Sequence, residues 1–222
     1  MAEKPRVKAP KQRSSSSGRD AARTRQIAVA VAGFVGALIL GGILFFALGQ
    51  SGASGPDVEL VKADLEAAGC TLVAKKALSG EHTITDPGGS SDEWNTDPPT
   101  SGPHYSIAAV FNEYDEELEL ARVVHNLEHG GVFVLYGKDV PDETVEQLRA
   151  FYADHKTGTI LAPVDRLGDK FALGAWVAHG DPAMGYLATC KGYSEAALSG
   201  FLSAFQFKGP EHFDPSDLRP GH

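Results

Sequence analysis

The sequence predicts an α+β fold: one mixed helix and strand domain carried behind a single membrane-spanning helix. Three observations carry this. Ile27 to Leu48 is a run of 22 residues without a charge. From residue 57 onward, helical apolar spacings and short strand-like runs follow one another without the strict alternation of a βαβ series. No internal repeat is present, and the roughly 165 residues from position 57 onward suffice for one core.

Residues 1–26 are rich in Lys, Arg and Ser and nearly free of large apolar side chains, the composition of a solvated, disordered tail. A helix over 27–48 would measure roughly 33 Å, against a hydrocarbon core of about 30 Å. That length exceeds the apolar stretch of a cleaved signal peptide, so retention of the span in the bilayer is expected. Eight basic residues (Lys4, Arg6, Lys8, Lys11, Arg13, Arg19, Arg23 and Arg25) precede it against two acidic ones, Glu3 and Asp20. The positive-inside rule then keeps the amino terminus cytoplasmic and exports the rest, giving a single-pass protein of the plasma membrane. Of the 20 basic and 29 acidic residues in the chain, 12 and 27 fall after the span, a net charge of −15. No nucleic acid partner is expected for so acidic a domain, and solubility accounts for the charge.

Residues 49–56 (Gly-Gln-Ser-Gly-Ala-Ser-Gly-Pro) form a short flexible linker. Val58, Val61, Leu65 and Ala68 recur at helical spacing and stop at Gly69. A strand over Thr71 to Leu78 follows, then a Gly/Pro/Asp/Ser-rich loop from Ser79 to Pro103, long enough to suggest a functional role. A helix is predicted over Glu116 to His129 and a strand over Val132 to Tyr136. Pro141 to Lys156 reads as a helix with acidic residues in its first turn, a placement that suits the helix dipole. Strands are predicted over Thr159 to Ala162 and Phe171 to Ala178, and an amphipathic helix over Ser194 to Phe205. The domain is bounded at 57–211, with 212–222 as a carboxyl-terminal tail.

Cys70 and Cys190 are the only cysteines. An even count in an oxidising compartment reads as one disulfide, in preference to a thiolate metal pair, since no Cys-x-x-Cys spacing occurs.

Two segments carry the chemistry. In Val124-His125-Asn126-Leu127-Glu128-His129-Gly130-Gly131-Val132, the two histidines stand four apart and share one helix face, a spacing able to grip one ion. In Asp97-Pro98-Pro99-Thr100-Ser101-Gly102-Pro103-His104-Tyr105, three prolines stiffen the loop that presents His104. These two segments resemble the signature of the bacterial family known as domain of unknown function 3105. The likeness extends to Gly69-Cys70, Gly80-Glu81-His82, Ala175-Trp176 and Gly209-Pro210-Glu211, and so covers about residues 57–211. The chain departs from the family pattern at Val177, where a glycine is usual, and in an extra segment from Asp181 to Cys190. The resemblance implies a membrane-anchored or exported domain and brings no activity with it.

The leading expectation is a metal site built from His82, His104, His125 and His129, with Glu128 or Met184 as further ligands. Four neutral imidazoles suit copper or zinc, and a Met184 thioether would tilt the choice to copper. The bland alternative is that the histidines only hydrogen-bond to backbone within a rigid polar loop. His155, His179, His212 and His222 read as incidental. The segment from His125 to His129 also matches the H-x-x-E-H pattern of inverted zinc peptidases, but Gly130-Gly131 ends the helix before the support that mechanism needs. Catalysis is therefore not expected. An accessory subunit of a membrane complex without metal is the other reading; besides the lipid bilayer, it takes a membrane-protein partner, its glycine-bearing span packing beside other spans and its acidic domain docking on an exported partner. Trp176 and Phe171 read as core, Trp94 and Tyr105 as packing for the Pro-rich loop, and Thr100 and Ser101 as turn formers.

Overall fold

The computed structural model describes residues 58–85 and 89–221, and strands buried on both faces organise everything else. The tail, the Ile27–Leu48 run and the linker lie outside the described residues. Among those described, no helix is long and apolar enough to cross a membrane. The elements in chain order are α1 (Val58–Ala67), β1 (Thr71–Lys76), α2 (Leu120–Glu128), β2 (Val132–Tyr136), α3 (Asp142–Asp154), β3 (Thr159–Pro163), β4 (Phe171–Val177), β5 (Met184–Cys190) and α4 (Glu195–Phe205). Short 3₁₀ turns occupy Asp165–Leu167 and Pro215–Leu218.

The strands form one mixed sheet in the order β1-β5-β4-β2-β3. Only β2 and β3 run parallel, joined by the crossover through α3; the other pairs are antiparallel. Because side chains alternate along a strand, β2 to β5 each feed two cores, while β1 at the sheet edge is largely exposed. Val132, Val134, Leu173, Ala175, Val177 and Tyr186 face one way, onto α1, α3 and α4. Phe133, Leu135, Ile160, Ala172, Trp176 and Leu187 face the other, where Val123, Val124 and Leu127 of α2 cover them. This second face carries the histidines.

Gly174 of β4 stands opposite Phe133 of β2, and a Cβ at Gly174 would lie 2.1 Å from that ring. The missing side chain is what lets the ring lie flat on the sheet. Gly174→Ala should therefore cost about 1–3 kcal/mol of stability through overpacking, read as a lower urea midpoint at unchanged m-value.

The predicted strand over Thr71–Leu78 stops at Lys76, because Leu78 N–H turns away to donate to Ser101 Oγ at 3.1 Å. The predicted helix over Glu116–His129 begins only at Leu120; before it, the Glu117 carboxylate accepts a hydrogen bond from the Asp165 backbone N–H. The largest difference is β5. Met184–Cys190, where the sequence suggests no element, supplies an interior strand hydrogen-bonded to both β1 and β4. Its Gly185 is a packing requirement, since a Cβ there would meet Thr100 Oγ1 at 2.3 Å. Cys70 and Cys190 form the expected disulfide, joining the residue before β1 to the last residue of β5.

Candidate metal centre

Six of the seven buried polar or charged residues among the described ones come from the two motifs: Thr100, Ser101, His104, His125, Asn126 and Glu128. Burial of that many polar groups is tolerated only when each is partnered, and here they partner one another's segments. Thr100 is tied to Thr96 through hydroxyl and backbone bonds of 2.9 Å, and Trp94 Nε1 donates to the Pro103 carbonyl at 2.9 Å. Asn126 donates to and accepts from the Ala109 backbone at 2.7 and 2.9 Å, so the chain passing α2 is held by both ends of one amide. His104 N–H donates to the Glu81 carbonyl at 3.0 Å, which sets His82 beside the helix.

The centre follows from these restraints. His125 Nδ1 donates to the Tyr105 carbonyl at 2.8 Å, and His104 Nδ1 donates to the Gly102 carbonyl at 2.8 Å. A carbonyl only accepts, so both rings carry their proton on Nδ1, the backbone restraint that metal-ligating histidines commonly show. His104 Nε2 lies 3.0 Å from Glu128 Oε2, and His82 Nε2 lies 3.5 Å from the same oxygen. The ring centroids of His82, His104 and His125 are 4.7 to 4.9 Å apart. Donor atoms from His82, His104, His125 and Glu128 all lie within 4.8 Å of one another, an arrangement that can hold a metal ion. Two donors on a tetrahedral ion with bonds of about 2.0–2.1 Å stand about 3.4 Å apart, so the set needs only modest contraction. His82, whose side chain is 43% exposed, is the member free to supply it.

Glycine shapes the wall. A Cβ on Gly80 would sit 2.2 Å from Glu128 Oε1 and 3.0 Å from the Trp176 ring. Gly80→Ala should push the carboxylate out of line, and if the cluster holds an ion its affinity should fall about 10- to 100-fold, the usual effect of disturbing a ligand's support, as read by competition with a chromophoric chelator. Trp176 is buried and edge-on to His104, with ring centroids 6.2 Å apart, and its indole N–H has no hydrogen-bond partner among the described residues.

Burial works against charge on all three residues of the helix end. It lowers the His125 pKa, reinforced by His104 and His82 and opposed by the Tyr105 hydrogen bond. It lowers that of His129 too, with His125 adding to the effect. Burial alone would raise the Glu128 carboxyl, but the hydrogen bond and charge of His104 hold it below the usual range.

Two residues fall elsewhere than the sequence suggests. His129 stands behind His125, ring centroids 4.5 Å apart, and pairs with Glu211 at 3.2 Å rather than joining the other three rings. His125, His129 and Glu211 form a second group of donors within 4.8 Å. Glu211 is reached because its N–H donates to the Glu128 carbonyl at 3.0 Å, docking 207–211 on the end of α2. Met184 is opposite Val177 in the register and packs against the core on the other sheet face, so its thioether is no ligand of this centre. The copper preference that rested on that sulfur loses its support. Of the remaining histidines, His155 stacks on Phe151 at 4.2 Å and His179 lies 6.0 Å from His212, away from the centre.

The family profile described as protein of unknown function (DUF3105) matches residues 89–217, more than half of the chain. The chain belongs to the DUF3105 family. The DUF3105 match takes in His104, His125, Glu128, His129 and Glu211, while His82 and Cys70 precede it. No curated protein and no solved structure matches the chain.

Proposed function

We propose that this DUF3105 protein is a membrane-anchored, extracytoplasmic metal-binding protein that holds one divalent first-row transition ion through His82, His104, His125 and Glu128. The observation that carries the reading is His104. Its ring is fully buried, and both nitrogens face oxygens, a carbonyl at 2.8 Å and a carboxylate at 3.0 Å. With Nδ1–H committed to the carbonyl, the space between Nε2 and Glu128 must hold a proton or a metal ion. A ligand set of three imidazoles and one carboxylate suits zinc(II) or copper(II); without a sulfur donor, copper(I) has no advantage.

Glu128 lies in the ligand set beside His82 and His104, and His129 turns to Glu211. The H-x-x-E-H hydrolase arrangement would put both of its histidines on one ion, as the group of His125, His129 and Glu211 allows, but it also needs its glutamate left for water, and Glu128 is engaged by His104 and His82. A binding or delivery role fits the donors better than hydrolysis. Anchoring is supported by the Ile27–Leu48 run and the basic residues before it, and an oxidising compartment by the Cys70–Cys190 disulfide.

The test is calorimetric titration of the full-length chain in detergent with zinc(II) and copper(II). Binding tighter than about 1 μM, equivalent to about −8 kcal/mol, is expected for at least one of them. His125→Ala should weaken it on the order of 100-fold or more, beyond the 10- to 100-fold of a lost supporting contact. Binding should also release about one proton, the one displaced from between His104 and Glu128, detected as a dependence of the measured heat on buffer ionisation enthalpy. No binding of either ion would leave the cluster as a buried hydrogen-bonded clamp between loop and helix.

A further inference from the structure

His125 belongs to both donor groups, and the consequence rests on the metal reading above. The inner group adds His82, His104 and Glu128; the outer adds His129 and Glu211. A neutral imidazole has a single lone pair, because its other nitrogen keeps the proton, and on His125 that proton is held by the Tyr105 carbonyl. Only one ion at a time can use this ring. The groups are alternative positions for one ion rather than two independent sites.

The positions differ in access and match in charge. His104 is fully buried and the Glu128 side chain is 8% exposed, whereas the His129 and Glu211 side chains are 18% and 47% exposed. Each group brings one carboxylate, so a divalent cation meets the same formal ligand charge in both. In each, an imidazole Nε2 and a carboxylate oxygen already stand about as far apart as two donors on one ion, 3.0 Å for His104 and Glu128 and 3.2 Å for His129 and Glu211. The Phe213 ring lies 4.1 Å from that of His129 and walls the outer position on one side.

We propose that His129 and Glu211 form an outer station through which a divalent first-row cation passes between solvent and the buried inner set, pivoting on His125. The step is a ligand exchange. The bonds to Glu211 and His129 break as bonds to Glu128, His104 and His82 form, the proton held between His104 and Glu128 leaves to solvent, the His125 bond persists, and no electron is transferred.

The test uses the full-length chain in detergent with cobalt(II), whose visible absorption reports its ligands, and zinc(II). One equivalent is expected to saturate the wild type. Glu211→Gln, a near-isosteric change at a half-exposed position, and His129→Ala should each keep that equivalent and the cobalt spectrum. In stopped flow, both loading and removal by EDTA should slow about tenfold, the lower end of what a lost auxiliary contact costs. Two equivalents bound by the wild type, or unchanged rates in Glu211→Gln, would overturn the shared station while leaving the inner site standing. Absence of any cobalt or zinc binding would overturn the metal reading and the station together.

Discussion

Cys70→Ser should lower the free energy of unfolding by about 4 kcal/mol, the loss expected when a link closing a loop of more than 100 residues is removed. Cys70 and Cys190 are 120 residues apart in sequence, so the bond excludes a large share of the conformations open to the denatured chain. Both sulfurs are also buried in the core beneath α1 and α4, where a serine hydroxyl would lose its hydration without gaining an assured partner. The two contributions act in the same direction. Urea denaturation of the wild type with and without dithiothreitol, beside Cys70→Ser and Cys190→Ser, should give three destabilised proteins with similar midpoints. The reduced forms should show a larger m-value, because a denatured chain without the link exposes more surface. A loss below about 1 kcal/mol would mean that the denatured chain is constrained by something other than the bond.

His104→Ala should destabilise the metal-free protein by about 3 kcal/mol, because it strands a buried carboxylate. Glu128 Oε2 loses its 3.0 Å partner, and the partner that remains, His82, stands 3.5 Å away and is half in water. The Gly102 carbonyl loses its donor as well. Glu128→Gln removes the charge that makes this costly, so adding it to His104→Ala should recover part of the loss. The resulting cycle should show a coupling between about 0.5 and 3 kcal/mol, the range for residues within one network. Additive effects would mean that the two side chains do not interact in solution.

Much of this was legible in the sequence where local rules operate. Polar residues in two stiff, distinctive segments marked the centre, and the mixture of helical and strand periods gave the α+β class. The bare count of two cysteines gave the disulfide. Hidden were the features that only the sheet creates. Met-Gly-Tyr-Leu-Ala-Thr-Cys at 184–190 has little β-branched character, and its strand exists because β1 and β4 hydrogen-bond to it on both sides. The same register sends Met184 to the far face, where no spacing argument could have placed it. Glu211 sits 82 residues after His129 in a glycine- and proline-bearing turn, with no periodicity to flag it. Its only cue was the short Gly209-Pro210-Glu211 likeness. The structural reason for Gly209 is close approach: a Cβ there would lie 2.3 Å from the Glu128 carbonyl oxygen.

The place of β5 between β1 and β4 also governs when the molecule can be finished. Thr71 pairs with Thr189, so the first strand to leave the ribosome waits for nearly the whole domain to be synthesised before it finds its neighbour. Contacts so remote along the chain slow folding, and meanwhile β1 keeps an unsatisfied backbone edge on the nascent polypeptide. Lys75 and Lys76, at the end of that strand, discourage a foreign strand from adding there during the wait.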